Sequence, residues 1–286
     1  MENKNTHLAH LFQINLAMVF ISTSGALGRY IQLSVPVTIA SRAILAFVLL
    51  FLYCKWKKIS LKVARKDIWP IVATGICMGL HWITYFYALK WSNVAIGMLS
   101  LFTYPVLTSF LEPILLKTKF QRIHLLLGIL VLSGIYFLVP NFDMDNSYAL
   151  AVGIGILSAL FYALRNLILK TKVTNYNGSM LMCYQVGIIG IVLFPSFFVL
   201  DGTAIGSQWE ALLALALFTT AIGHTIFLNS FKHFSVTTAS IISSVQPVYG
   251  IIIGALFLSE IPSLLTILGG VLILSSVVIE SIRSYR

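Results

Sequence analysis

The chain has 286 residues and a mean hydropathy of +0.93, with 58% hydrophobic and only 10% charged residues. Soluble proteins are about a quarter charged, so this composition excludes an ordinary globular enzyme. The net charge of +10 does not indicate nucleic-acid binding, because the lysines and arginines occupy alternate loops and do not form one basic face. The three cysteines show no paired spacing, so the sequence predicts neither a disulfide framework nor a metal site, and no cofactor is expected.

Ten apolar runs approach the roughly 20 residues that a helix needs to cross a hydrocarbon layer. The first is longer than a signal-peptide core and is expected to be retained. We therefore predict an all-α integral membrane protein with ten transmembrane helices joined by short links. The predicted spans are 11–29, 36–54, 68–89, 93–116, 121–140, 148–169, 180–200, 210–230, 236–258 and 262–282.

The basic residues of the predicted loops and termini are distributed very unequally between the two sides of the membrane. Fifteen fall on the side that carries both termini, six of them in the link of residues 55–67, and two fall on the other side. Because cytoplasmic loops of membrane proteins are enriched in lysine and arginine, both termini are predicted to be cytoplasmic. The two cations on the opposite side are Arg29 and Lys90.

One stretch of the sequence recurs. Residues 88–133, shifted by 142 positions without a gap, fall on residues 230–275. The coincident pairs include a lysine, a proline and a glycine, which match by chance less often than leucine or valine: Lys90 and Lys232, Pro105 and Pro247, Gly128 and Gly270. We interpret this as a duplication with one five-helix repeat in residues 1–141 and another in 147–286. An odd number of helices per repeat inverts the second repeat, as in many secondary transporters.

The residues resemble the drug/metabolite transporter superfamily and, within it, the ten-helix EamA-type transporters. The resemblance spans essentially the whole chain and rests on family features more than on any substrate signature. The residues that support the resemblance are the paired Pro105 and Pro247, Leu258-Ser259-Glu260 before the last helix, Gly270 inside that helix, Ala88-Leu89 and Arg42. The resemblance implies a multi-pass protein of a bacterial-type inner membrane that exports amino acids or other small metabolites without ATP.

Polar and aromatic side chains inside the predicted spans are the candidates for a substrate site. Each is costly in lipid unless it faces protein or water. We expect the site between the third, fourth, eighth and ninth helices, with contributions from the first and sixth. The candidate substrate-binding residues are Ser24, Arg42, His81, Tyr85, Ser100, Tyr104, His224, Ser243 and Gln246.

Several of these residues allow more than one interpretation. Arg42 could bind a carboxylate through two parallel hydrogen bonds, or it could reach the external surface or form a structural ion pair. Arg165 is expected to extend to the cytoplasmic surface, because it is near Lys170. His81 and His224 occupy nearly equivalent repeat positions and are expected toward opposite ends of one pathway. Trp82 could line the site or belong to an interfacial aromatic belt.

Pro105 and Pro247 are predicted to kink their helices near the bilayer midplane, where a gate could move, although a static kink is the alternative. Glu112 is a carboxylate well inside a predicted span. It is a candidate for proton coupling, and pairing with Arg165, Lys117 or a loop cation is the alternative.

The expected function is secondary transport of a small metabolite by alternating access. An intramembrane enzyme would need a catalytic set such as paired aspartates or a His-Glu-x-x-His motif, and the sequence contains neither. A lipid-handling bundle is the other rival. The expected partners are a small-molecule substrate and the lipid bilayer, with no nucleic acid. The last helix, with Gly269 and Gly270, is expected to serve as a scaffold or as a homodimer surface.

Overall fold

The computed structural model describes residues 4–138 and 147–285, and within these ranges every helix or strand assignment is helical. We number the main helices in chain order and divide the two interrupted ones into a and b. They are α1 Lys4–Tyr30, α2 Val35–Trp56, α3 Ile68–Trp91, α4a Val94–Leu101, α4b Tyr104–Leu116, α5 Ile123–Leu138, α6 Ser147–Lys170, α7 Gly178–Leu193, α8 Trp209–Ser230, α9a Val236–Ile242, α9b Gln246–Leu258 and α10 Leu264–Tyr285.

The all-α membrane class is confirmed. In the described ranges, eight helical stretches are long and apolar enough to cross a membrane. These comprise α1, α2, α3, α4, α6, α7 with the short helix that follows it, α8 and α9. Helix α5 has 16 residues, and the apolar part of α10 is also shorter than the other spans. The count of ten transmembrane helices therefore stays a prediction.

Most boundaries lie within a few residues of the predicted ones, with two larger differences. Helix α1 begins at Lys4, because a helix can continue through polar residues outside an apolar run. Helix α7 ends at Leu193, earlier than predicted, and a separate short helix follows at Ser196–Val199. Pro195 lies at this break, and a proline has no backbone N–H to continue the helical ladder.

The two repeated prolines lie near the middle of their spans, where each begins the second segment of an interrupted helix. The kinks predicted there take the form of breaks between two helical segments. Helix α4a ends at Leu101, and Pro105 occupies the first turn of α4b. Pro247 likewise occupies the first turn of α9b, after a 3-10 turn at Ser243–Val245. A fixed φ and a missing N–H suit the first turn of a helix, where the N–H has no intrahelical partner. The interrupted helices α4 and α9 are thus each built from two stacked segments.

The interrupted helices also correspond in detail. Val94–Leu116 and Val236–Leu258 begin and end at positions that differ by the same 142 residues as the sequence repeat. The residues that follow them, Lys117 and Ser259, both adopt a left-handed conformation with φ of 56°. Such a residue commonly terminates a helix.

The helices pack in pairs. Helix α3 packs chiefly on α6 and α8 on α1, while α2 packs on α7 and α5 on α10. Helix α4 contacts α6 more extensively than α9, and α9 contacts α1 more extensively than α4. The α5–α10 contact is very close, since a Cβ added to Gly134 would lie 2.7 Å from the Gly269 carbonyl oxygen. The opposite face of α10 carries exposed apolar side chains such as Leu264 and Val271. The homodimer expected at this helix stays a prediction.

Candidate functional site

A closed cavity lies near the middle of the bundle, between α1, α2, α3, α4, α6, α8 and α9. Each lining residue is less than a tenth exposed, so bulk water does not reach it. Its volume of about 10 Å³ is close to the least that one water molecule occupies. The lining residues are Ile21, Ser24, Arg42, His81, Trp82, Tyr85, Leu101, Phe102, Tyr104, Tyr162, His224 and Gln246.

The cavity contains seven of the nine predicted substrate-binding residues, and the other two lie elsewhere. The Ser243 hydroxyl hydrogen-bonds the Tyr104 hydroxyl, so Ser243 stands behind a lining residue. Ser100 faces α6, where a Cβ added to Gly155 would lie 2.0 Å from the Ser100 Oγ. In this conformation Ser100 therefore serves close packing of α4a on α6 and does not line the cavity.

Arg42 is held inside the bundle by neutral groups. Its side chain is 1% exposed, so it does not reach the external surface. Its Nε donates to the Thr220 Oγ1 at 2.7 Å, and Nη2 donates to the Thr219 Oγ1 at 2.8 Å. Its Cζ lies 3.7 Å from the centroid of the Trp82 ring, a cation–π distance. The third nitrogen, Nη1, is buried without a hydrogen-bond partner.

The two threonines belong to an unusual segment of α8. Residues Leu215–His224 form a π-helix, which widens the turn and brings the adjacent Thr219 and Thr220 to the same guanidinium group. Irregular π-helical turns often occur at functional sites. Apart from the two threonines in an apolar run, no sequence signal indicates this segment.

Tyr162 forms the centre of an aromatic cluster in the cavity. Its ring stacks on His81 with a centroid distance of 4.4 Å and meets Tyr104 edge-on at 4.9 Å. His224 contacts the same ring at 6.2 Å and Trp82 at 5.8 Å. The expectation that His81 and His224 lie toward opposite ends of the pathway is therefore wrong. Both line the same cavity, where each contacts the ring of Tyr162 on α6.

Sequence reasoning missed Tyr162, Thr219 and Thr220 and left the place of Trp82 open. Tyr162 had one detectable signal, since it lies one helical turn before Arg165 and Asn166 in an otherwise apolar helix. The surface role predicted for Arg165 is corrected. Arg165 is 0% exposed, and its Nε and Nη1 donate to the amide oxygens of Gln185 and Asn166 at 2.7 and 2.8 Å. Amides on α6 and α7 bind the guanidinium before it can reach the surface.

One end of the bundle is closed by contacts that we call the Glu260 cluster, formed by Arg29, Lys90, Val94 and Glu260. The Glu260 carboxylate accepts a hydrogen bond from the Val94 backbone N–H at 2.7 Å and forms an ion pair with Arg29 at 2.8 Å. Arg29 also donates to the Lys90 carbonyl at 3.2 Å, and the Lys90 Nζ donates to the Ile31 carbonyl. These contacts tie the ends of α1, α3 and α9 to the start of α4.

The other end is closed by the Glu112 cluster, formed by Glu112, Lys170, Val236 and Thr237. Glu112 is 7% exposed and accepts hydrogen bonds from the backbone N–H groups of Val236 at 3.4 Å and Thr237 at 3.1 Å, and from the Thr237 hydroxyl. Glu112 thus caps the start of α9 and does not pair with Arg165. Lys170 donates to the carbonyls of Phe231 and Phe234, at the end of α8 and just before α9.

A family model describing the EamA-like transporter family matches this chain twice, at residues 9–139 and 149–282. The chain therefore belongs to the EamA-like transporter family. Membership establishes a multi-pass membrane transporter and confirms the resemblance found in the sequence. Each match covers one of the two halves that the repeat defines.

This EamA-like transporter is also similar to individual transporters in sequence and to a solved structure in fold. It is 25% identical over 227 residues to the pseudopaline exporter CntI of Pseudomonas aeruginosa, with 78% of each chain covered. It is 26% identical over 196 residues to an uncharacterized transporter of Archaeoglobus fulgidus, covering 68% of this chain and 70% of the relative. A crystal structure of another protein superposes with a TM-score of 0.76 over 97% of this chain and 98% of that one, at 14% identity, which shows a shared fold.

Proposed function

We propose that this protein exports a small metabolite, such as an amino acid, across a bacterial inner membrane by alternating access. The observation that carries the proposal is the closed, polar and aromatic cavity at the middle of the bundle. Ligand sites combine aromatic walls with a few polar groups, and this cavity, which has room for about one water molecule when closed, would widen as the bundle opens to admit a metabolite. The export direction is supported by the relative that is named an exporter.

The pairing of the helices supports an inverted repeat with halves 1–141 and 147–286. If the two halves are exchanged, each helix of the first half takes the position of the helix numbered five higher, and each helix of the second half takes the position of the helix numbered five lower. The α3–α6 contact then becomes the α8–α1 contact, and the α2–α7, α4–α9 and α5–α10 contacts become themselves. Two halves with this relation can rock about a shared midplane site and open it to either side.

The Glu260 and Glu112 clusters are the proposed gates. Each fixes the start of an interrupted helix, and the capped residues Val94 and Val236 occupy equivalent repeat positions. The capping carboxylates come from positions that are not equivalent. Breaking one cluster while the other persists would free α4a or α9a at one end only. The interruptions before Pro105 and Pro247 would let these short segments move separately from α4b and α9b.

Glu112 remains our candidate for proton coupling. A carboxylate at a helix start is stabilised by the N–H groups and the positive end of the helix dipole. Protonation of Glu112 would remove its negative charge and weaken its hold on Val236 and Thr237, so proton binding would favour opening at that end.

The positive-inside rule assigns the Glu112 end to the cytoplasm and the Glu260 end to the outside, with both termini cytoplasmic. For export driven by an inward proton gradient, the substrate would enter and the proton would leave at the Glu112 end. Localisation in a bacterial inner membrane is part of the same proposal.

A lipid-handling bundle is the second candidate, because one outward-facing groove is almost wholly apolar. It lies between α2 and α7 and is lined by Ile44, Phe47, Val186, Gly187, Gly190, Ile191 and Phe194. The groove is separate from the central cavity, whose lining includes charged and polar side chains. Acyl chains would favour the groove, whereas a polar metabolite would favour the cavity, so we place lipid handling second.

The test is thermal stabilisation of the purified protein by amino acids, amines, nucleosides, drugs and lipids, because a ligand that binds only the folded state raises its stability. Tyr85→Phe, Tyr104→Phe and Gln246→Ala variants are measured beside it, and each active compound is then followed in proteoliposome uptake. A compound that shifts the melting temperature and is transported, with both effects reduced in the variants, supports the proposal. Stabilisation by lipids alone, without transport of any soluble compound, would move the assignment to lipid handling.

A further inference from the structure

The central cavity is lined by hydrogen-bond donors that have no acceptor. Arg42 Nη1, Trp82 Nε1, His224 Nδ1 and the Tyr85 hydroxyl are all buried without a hydrogen-bond partner, and all four residues line the same cavity. The hydroxyl can donate or accept. Guanidinium and indole N–H groups can only donate, and the imidazole nitrogen donates in one of its two neutral tautomers. Leaving such donors unpaired in a buried site is costly. A ligand that complements them must therefore supply acceptors.

The same region carries positive charge that no acidic side chain balances in the part of the chain that the structure describes. The lining contains no aspartate or glutamate, and both groups that accept from Arg42 are threonine hydroxyls. The ion pairs seen among the described side chains, Arg29–Glu260 and Lys172–Asp67, lie at the bundle ends. A second buried guanidinium, that of Arg165, lies 5.8 Å from the Tyr162 ring centroid and is bound by amides.

We propose that the ligand of this cavity is a small organic anion whose carboxylate binds Arg42 Nη1, an inference that rests on the proposed transport function. A carboxylate offers about four acceptor sites and can be shared by Arg42, Trp82 and His224. In the closed form the cavity has room for about one water molecule, so the anion binds when the bundle opens, and the rings of Tyr104, Tyr162 and His81 then provide flat apolar walls for its carbon skeleton. A cationic amine or drug would meet unbalanced positive charge and is excluded.

The decisive experiment varies ligand charge on a constant skeleton. Thermal stabilisation and proteoliposome uptake are measured with four derivatives of phenylalanine that differ in charge. N-acetyl-phenylalanine is an anion, phenylalanine is a zwitterion, phenylalaninamide is a cation and N-acetyl-phenylalaninamide is uncharged. Glutamate and glutamine form a second pair on a smaller skeleton. We expect the anions to stabilise the protein and to be transported, and the cation to do neither.

Three variants connect the charge preference to Arg42. Arg42→Gln removes the guanidinium, Arg42→Lys keeps the charge without the planar fork, and Arg65→Gln changes an exposed arginine as the control. Loss of a charge-assisted contact predicts that Arg42→Gln binds the anions about ten- to a hundredfold more weakly, with a smaller loss in Arg42→Lys and none in Arg65→Gln. If Arg42→Gln fails to fold, the charge series on the unaltered protein still decides.

The two proposals fail in different ways. If zwitterions, uncharged compounds or cations bind and are transported as well as the anions, or if the anions bind Arg42→Gln as well as the unaltered protein, the anion inference is wrong while metabolite transport stands. If no anion in the panel shifts the melting temperature or is transported, the anion inference is also wrong. Transport of none of the wider set of metabolites would in addition overturn the proposed function.

Discussion

Removing the two capping carboxylates one at a time should open the cavity to opposite sides. Glu260→Ala removes the acceptor of the Val94 N–H and the partner of Arg29. Losing a helix-capping group costs about 0.5–2 kcal/mol. The ion pair is partly solvated, with Arg29 and Glu260 side chains 30% and 20% exposed, so it adds only about 0–1 kcal/mol. Together they favour opening at that end by about 0.5–3 kcal/mol, or roughly 2- to 150-fold in population.

The assay is the accessibility of a cysteine in the cavity. Cys54, Cys77 and Cys183 are replaced by alanine, and Ser24→Cys introduces a thiol at a position that is 3% exposed and lines the cavity. A membrane-impermeant maleimide is added to one side of sealed, oriented vesicles. Glu260→Ala should accelerate labelling from the Glu260 side, and Glu112→Ala should accelerate it from the Glu112 side.

A matched control is Glu210→Ala, which removes an exposed glutamate at the start of α8 and should leave both rates unchanged. Equal acceleration from both sides in either variant would indicate general loosening of the bundle. Unchanged rates in both variants would show that the two clusters do not hold the cavity closed. Either result would refute the gating argument.

Three further outcomes test the packing and the site. Gly155→Ala should lower the free energy of unfolding by about 1–3 kcal/mol, because the added Cβ would overlap Ser100. Gly153→Ala is the control and should not lower it, because no atom lies within 4 Å of its added Cβ. Equal melting curves for the two variants would contradict the α4a–α6 packing. Tyr162→Ala should weaken ligand binding more than tenfold, and Tyr162→Phe should weaken it less, because it keeps the ring beside His81. If Tyr162→Phe weakens binding as much as Tyr162→Ala, the hydroxyl and not the ring is responsible. Glu112→Gln should make uptake in proteoliposomes less dependent on an imposed proton gradient, with Glu210→Gln as control; a gradient response unchanged by Glu112→Gln would remove Glu112 from proton coupling.

Much of the site could be predicted from the sequence because the membrane restricts where polar residues are tolerated. Arg42, His81, Tyr104 and Gln246 lie near the middle of apolar runs, where each needs protein or water around it. This argument identified most of the cavity lining without knowledge of the helix packing. It could not separate Ser100 from the cavity residues, since a serine can equally face a glycine on a neighbouring helix.

Residues whose partners lie far along the chain could not be placed in this way. The bond from Glu112 to Thr237 joins residues 125 positions apart, and the bond from Glu260 to Val94 joins residues 166 positions apart. The repeat relates Val94 to Val236 but does not relate Glu112 to Glu260, so internal symmetry did not predict the two caps. Arg165 was predicted to reach the surface because it is near Lys170 at the end of α6, and its amide partner Gln185 on α7 is not evident from the sequence.

The sequence by itself determined the membrane class, the approximate helices and the transporter family, and it predicted the repeat, because apolar length, charge distribution and periodicity are properties of the chain alone. Only the tertiary structure decided that His81 and His224 share one cavity around Tyr162, that Thr219 and Thr220 bind Arg42, and that the prolines begin separate helix segments. The physical reason is that the spacing of residues along a helix determines the face on which a side chain lies. It does not determine which neighbouring helix packs against that face.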